Sequence, residues 1–156
     1  MVSLVSQIEN YLKRMLDLSE DNSIEIQRSD LAEIFMCVPS QINYVLETRF
    51  NPEAGYYIET RRGGGGYIKI MKLDFDNDEN LTALLNESKA KAISQSAGEN
   101  LIQRLYAEDL LTEREAVILK GLMNKNMFEL PVEEANYMRG RIIRWVLITL
   151  LRDDLA

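Results

Sequence analysis

Four glycines in succession, Gly63-Gly64-Gly65-Gly66, stand behind Arg61-Arg62 and between two segments rich in aromatic and β-branched residues, Tyr56 to Thr60 and Tyr67 to Leu73. Glycine inside regular structure costs roughly 0.5–1 kcal/mol relative to alanine, so such a run belongs at a tip and not within an element. Flanks of strand composition on either side of it predict a β-hairpin with a glycine tip. A glycine-rich phosphate loop would end in Gly-Lys-Ser/Thr and open a helix, whereas Gly66 leads into Tyr67-Ile68-Lys69-Ile70, so a nucleotide site is disfavoured. A turn that is merely flexible would explain one or two glycines more readily than four beside paired arginines. With no Cβ atoms, the tip could instead enter a narrow groove lined by negative charge. Arg61 and Arg62 would then reach phosphates or the groove floor, and Lys69 and Lys72 could add contacts to the backbone.

The residues before the hairpin supply its partners. Leu4, Ile8, Tyr11, Leu12, Met15 and Leu16 recur with helical spacing and predict an amphipathic helix ending near Leu18. Ser23-Ile24-Glu25-Ile26-Gln27 alternates with period two and predicts a short strand. Ser29-Asp30 is the expected N-cap of a two-turn helix over Leu31 to Phe35, and Pro39 suits the first turn of a third helix with an apolar face of Ile42, Val45 and Leu46. Asn51-Pro52-Glu53-Ala54-Gly55 then breaks the pattern. The order helix, strand, helix, helix, strand, strand is that of a winged helix-turn-helix. Within it, Ala32 provides the small residue at which the second helix crosses closely, and Ile42 and Val45 follow it by ten and thirteen positions, the spacing that fixes the crossing. Met36 occupies the turn position where glycine is usual.

If Ile42, Val45 and Leu46 face inward, the helical period turns Ser40, Gln41, Asn43, Tyr44, Glu47 and Thr48 outward. Gln and Asn can pair with adenine in two-point fashion, Glu accepts from cytosine N4, and Ser or Thr bonds to bases or phosphates. Ser40 to Arg49 would make a helix roughly 15 Å long, enough to lie in a major groove. The competing view, an ordinary solvated helix face, is weakened by the hairpin that follows.

Asp74 to Asn80 is an acidic linker, and the expected domains are residues 1–73 and 80–156. Beyond it the pattern is helical: Leu81 to Ser94 is moderately periodic, Ser96-Ala97-Gly98-Glu99 and Thr112-Glu113-Arg114-Glu115 have capping-box form, and Leu130-Pro131 opens a last helix reaching about Leu151. That helix is apolar almost all round, with Trp145 near its middle, more than one small domain can cover; a homodimer interface is expected there. Two copies would raise the effective concentration of two reading heads at a paired site.

The chain carries a net charge of −7, yet Arg61 to Lys72 holds four bases and no acid. A local cationic surface on an acidic scaffold fits anion binding without indiscriminate attraction to nucleic acid. There is no histidine and a single cysteine, Cys37, which reads as a buried turn residue. Metal clusters, His-based triads and disulfides therefore lack their parts, and no enzyme activity, cofactor or metal is expected. No membrane span or export signal is evident, so a cytoplasmic setting is expected. A winged-helix adaptor that binds proteins without reading DNA is the alternative that these residues leave open.

Cys37-Val38-Pro39-Ser40-Gln41-Ile42-Asn43-Tyr44-Val45, Thr48-Arg49-Phe50 and Arg61 to Tyr67 closely resemble the CtsR family, the class three stress gene repressors of bacteria, and Leu111 to Ala116 resembles that family's C-terminal pattern. The resemblance implies a repressor of Clp protease and chaperone genes, bound as a homodimer to double-stranded operator DNA with tandem direct repeats and released on heat stress. It implies a recognition helix in the major groove and the glycine wing in the minor groove, so the DNA-binding candidates are Arg28, Ser40, Gln41, Asn43, Tyr44, Thr48, Arg49, Arg61, Arg62, Gly63, Gly64, Gly65 and Gly66. It also implies a protein arginine kinase and a Clp ATPase-protease as partners. Arginine phosphorylation would replace a cationic fork with an anion, and Arg28, Arg49, Arg61 and Arg62 are the sites where it would matter.

Overall fold

The structure is a computed structural model, and it describes residues 2–61, 66–75, 78–89 and 91–155. The chain divides into two compact units, residues 1–78 together with 151–156, and residues 79–150. This differs from the expected boundary in one respect: the last six residues, assigned from sequence to the helical domain, pack in the N-terminal unit.

Helix α1 (Leu4–Leu18) opens on Ser3, whose hydroxyl accepts from the Ser6 amide, and buries Ile8, Leu12 and Leu16 on one stripe. Strand β1 (Ser23–Gln27) follows, then α2 (Arg28–Ile34), α3 (Pro39–Arg49), a single 3-10 turn at Pro52–Ala54, β2 (Tyr56–Thr60) and β3 (Tyr67–Lys72). This is the winged-helix order. Helix α2 starts earlier than expected: Gln27 is its N-cap, without a side-chain bond, and Ser29 and Asp30 lie in its first turn. Strand β1 runs directly into the helix there, so its extended last residue takes the cap position and leaves none for Ser29.

The strands form an antiparallel sheet in the order β1-β3-β2. The register puts Ile24, Ile70 and Ile58 side by side, with Ile26 beside Ile68 on the same face. That face closes over Ile8, Leu12, Leu16, Leu31, Ile42, Val45, Leu46 and Phe50 in one apolar core, with Ala32 packed against it. Tyr11 meets Phe35 and Phe50 meets Tyr56 edge to face, at 5.3 and 4.9 Å.

The opposite face of the sheet is also covered. Met71 and Leu73 are 0% and 3% exposed although they alternate with the core residues of β3. Leu73 forms a bridge with Arg152, the Asp74 amide donates to the Leu151 carbonyl at 2.7 Å, and a 3-10 turn at Asp153–Leu155 packs on β3.

The helical unit contains α4 (Glu79–Glu87), α5 (Gln95–Ala107), α6 (Glu113–Met123), a 3-10 turn at Lys125–Met127 and α7 (Val132–Leu151), whose last residue already belongs to the N-terminal unit. The Thr112 box forms in full: its hydroxyl accepts from the Glu115 amide, and Glu115 accepts from the Thr112 amide at 2.7 Å. The Ser96 box does not form. Ser94 caps α5 by accepting from the Ala97 amide, which places Ser96 inside the first turn. Both serines precede the same apolar stripe, but the Gly98 amide donates to the Ser94 carbonyl at 2.9 Å, so the helical ladder already starts at Ser94; Gly98 itself packs closely on α6, where a Cβ would lie 2.6 Å from the Met123 sulfur. Arg139 is 3% exposed, and its charge is met by the Met123 carbonyl at 2.8 Å, Asn136 at 2.7 Å and the ring of Phe128.

Candidate nucleic-acid interface

Pro39 is the first residue of α3, where its missing N–H costs nothing, and the helix buries only Ile42, Val45 and Leu46. Ser40, Gln41, Asn43, Tyr44, Glu47 and Thr48 are all exposed, so the polar row expected from the helical period exists as one continuous face. The Thr48 hydroxyl donates to the Tyr44 carbonyl at 2.6 Å and lies along the helix. The turn before α3 is set by Met36, at φ +51°, a left-handed residue. Glycine is usual at this position because that conformation penalises a side chain. Here the Met36 side chain projects fully into solvent, and no neighbour adds to the backbone strain. Cys37 is half-buried, not buried as expected, because the turn carries it to the rim of the core.

The base of the hairpin is held at three points. The Arg61 amide donates to the Tyr67 carbonyl at 2.9 Å and closes the strands. The Arg28 amide donates to the Gly66 carbonyl at 3.2 Å, which ties the start of α2 to the hairpin, and Arg28 Nη1 lies 3.5 Å from the same oxygen. Gly66 sits at φ +71°, a conformation for which glycine is suited. Arg28 Nε is buried and makes no hydrogen bond among the described residues. Arg28, Asn43 and Glu47 line one hollow with Tyr57, so helix-turn-helix and wing base converge on the same surface. Arg62, Gly63, Gly64 and Gly65, the tip expected to enter the minor groove, lie outside the described residues.

Two candidate arginines are paired. Arg61 lies 3.4 Å from Glu25, and Arg49 Nε lies 3.2 Å from Glu9, which also binds Lys13 at 2.6 Å. These guanidinium groups are about half exposed, so the pairs orient them more than they stabilise the fold. Sequence reasoning missed Glu9 and Glu25, because each reaches its arginine across the fold and not along one helix.

Lys69 behaves differently from expectation. Its ammonium is 3.1 Å from Asp154, with the two side chains 17% and 3% exposed, and Asp154 also receives Arg152 through Nε at 2.9 Å and Nη2 at 2.8 Å. Lys69 is thus committed to the chain's own terminus and is not a free phosphate contact. The Arg152 hydrogen bond, followed by that from Lys69, holds the Asp154 carboxyl below the usual aspartate range. Asp153, beside it, is pushed up by burial and by Asp74.

A helix-turn-helix that exposes a polar recognition face beside a three-stranded sheet defines a winged-helix DNA-binding protein. Comparison with known proteins narrows the class. The CtsR N-terminal HTH domain matches residues 3–74, and the CtsR C-terminal dimerization domain matches residues 76–148. The chain is 43% identical to the transcriptional regulator CtsR of Geobacillus stearothermophilus, over 92% of this chain and 94% of that one. It is 40% identical to CtsR of Bacillus subtilis (strain 168), over 92% and 93%. A crystal structure of CtsR in complex with a 26-base-pair DNA duplex aligns with a TM-score of 0.50 at 41% identity, covering 95% of this chain and 98% of that one. The chain belongs to the CtsR family of transcriptional regulators. It is a DNA-binding repressor and not an enzyme, and the adaptor alternative is set aside. Among the described residues no helix is long and apolar enough to cross a membrane, and no cluster suited to a metal ion occurs.

Proposed function

We propose that this repressor reads its operator with α3 in the major groove, where Ser40, Gln41, Asn43, Tyr44 and Thr48 meet base edges and phosphates, and with the Arg61 to Gly66 wing in the adjoining minor groove. The observation that carries this reading is the uninterrupted exposed polar face of α3 beside the anchored wing base. Arg28 buttresses the wing through Gly66, and Arg49 addresses a backbone phosphate from the end of α3. The regulated genes encode Clp protease and chaperones, the operators are tandem direct repeats, and the working form is a cytoplasmic homodimer paired through the helical unit. Heat weakens the wing's hold. A protein arginine kinase and a Clp ATPase-protease remove the repressor under stress, with Arg28, Arg49, Arg61 and Arg62 as the modification sites that would weaken DNA binding.

Sequencing the genomic DNA retained by the purified protein, at a permissive and at a raised temperature, tests the reading. Recovery of promoter fragments with a shared repeated motif, lost on heating, is expected. Arg62→Glu should weaken specific binding by roughly 10- to 100-fold, the loss of one charge-assisted contact plus repulsion. Unchanged affinity would remove the wing from the mechanism.

A further inference from the structure

We infer that Arg152 and Asp154, at the far end of the chain, are positioning residues for the wing: they clasp the outer face of its central strand and so set how firmly the hairpin is presented to DNA. The inference rests on the wing reading proposed above.

Strand β3 pairs on both edges, so loosening it disturbs both strand pairings at the base of the hairpin. Its inner face is held by Ile68 and Ile70 in the core. Its outer face presents Lys69, Met71 and Leu73, and a winged helix ending at residue 74 would leave these to water. Instead Met71 and Leu73 are buried, Leu151 is 3% exposed, and Lys69 is neutralised by an almost fully buried Asp154 that is itself gripped in two-point fashion by Arg152. Asn22 Nδ2 approaches Asp153 at 3.4 Å, and Leu73 bridges Arg152, so the segment is fixed along its length.

The clasp also bears on the wing arginines. Lys69 stands between Glu25 of β1 and Glu59 of β2 in the sheet register. With Lys69 turned to Asp154, Glu25 pairs with Arg61, the last residue before the tip. Loss of Asp154 frees Lys69 to compete for Glu25, so Arg61 loses its orientation as β3 loses its cover. Both family domains stop short of these residues, at 74 and 148.

The test uses the full chain and a duplex carrying the retained motif. Asp154→Ala should speed amide exchange across residues 67–72 by 10-fold or more, leave the dimer intact by sedimentation, and weaken DNA binding about 10-fold. Electrostatics alone gives the opposite sign, because removing an acid should tighten binding to a polyanion. Asp154→Glu should recover most of the affinity. In an Arg62→Glu background the penalty of Asp154→Ala should largely vanish, because the wing has little left to lose.

Unchanged exchange in β3 would overturn the clasp. Faster exchange with undiminished DNA affinity, while Arg62→Glu still weakens binding, would overturn the positioning role and leave the wing reading standing. If Arg62→Glu binds like the parent, the wing reading itself fails, and a persistent penalty from Asp154→Ala would overturn this inference with it.

Discussion

The two units of this repressor solve opposite surface problems. In the N-terminal unit the recognition helix buries three apolar residues and offers water a polar face. In the helical unit α6 and α7 leave Val117, Ile118 and Trp145 largely exposed, and Leu111, Ile118, Leu119, Trp145 and Val146 line an apolar groove. A polar face with satisfied backbone suits a hydrated, charged partner, whose base edges exchange hydrogen bonds with water one for one. An apolar groove suits a second protein surface, because its stabilisation comes from area removed from water. The contrast assigns separate partners to separate units before any complex is considered.

The contrast breaks most visibly in the core. Phe50→Ala should cost about 3–5 kcal/mol of stability in the N-terminal unit, read as a lowered first transition in calorimetry, while subunit pairing persists. Next in size is pairing itself. Trp145→Ala should weaken dimerisation by about 2 kcal/mol or more if it is a central anchor, seen by sedimentation equilibrium, with the winged-helix transition unmoved. A loss of N-terminal stability in that variant would erase the division of labour.

Asn43→Ala probes the recognition face. It should cost about 1–3 kcal/mol in binding and relax preference at one operator position, measurable by titrating duplexes with single base changes. A uniform loss across all sequences would instead make Asn43 a phosphate contact. The smallest effect concerns the Thr112 cap: Thr112→Ala should cost about 1 kcal/mol in the helical unit.

The same cap adds a pH signature. Hydrogen bonding by the Thr112 backbone, then by its side chain, lowers the Glu115 pKa. The folded value lies below the unfolded one, so this contribution is complete above the ordinary glutamate range and fades as pH falls through the folded value. In Thr112→Ala the larger, backbone part of that increment should remain in an acid titration of the helical unit, and only the smaller part from the hydroxyl should be lost.

Much of this was legible in the residues themselves. The stripe Ile8, Leu12 and Leu16, the alternation Ile24 and Ile26, and Pro39 before Ile42 and Val45 are periodic or local signals. Each element they specify has the expected kind and nearly the expected bounds. The outward row on α3 followed from the same arithmetic. Errors in the helix starts fell where two signals competed within a few residues: Ser29 lost the cap to a strand running straight into its helix, and Ser94 displaced Ser96.

What the chain by itself determined is therefore the set of elements, the face each buries and the chemistry each exposes, because these depend on neighbours three or four residues apart in a helix and two apart in a strand. Tertiary structure alone decided which distant charges meet. It paired Glu25 with Arg61, Glu9 with Arg49, and Asp154 with Lys69, and it returned the chain's end to the back of the wing. No periodicity encodes such contacts. They arise where the folded backbone happens to bring two side chains within a few ångströms, across separations of up to 85 residues.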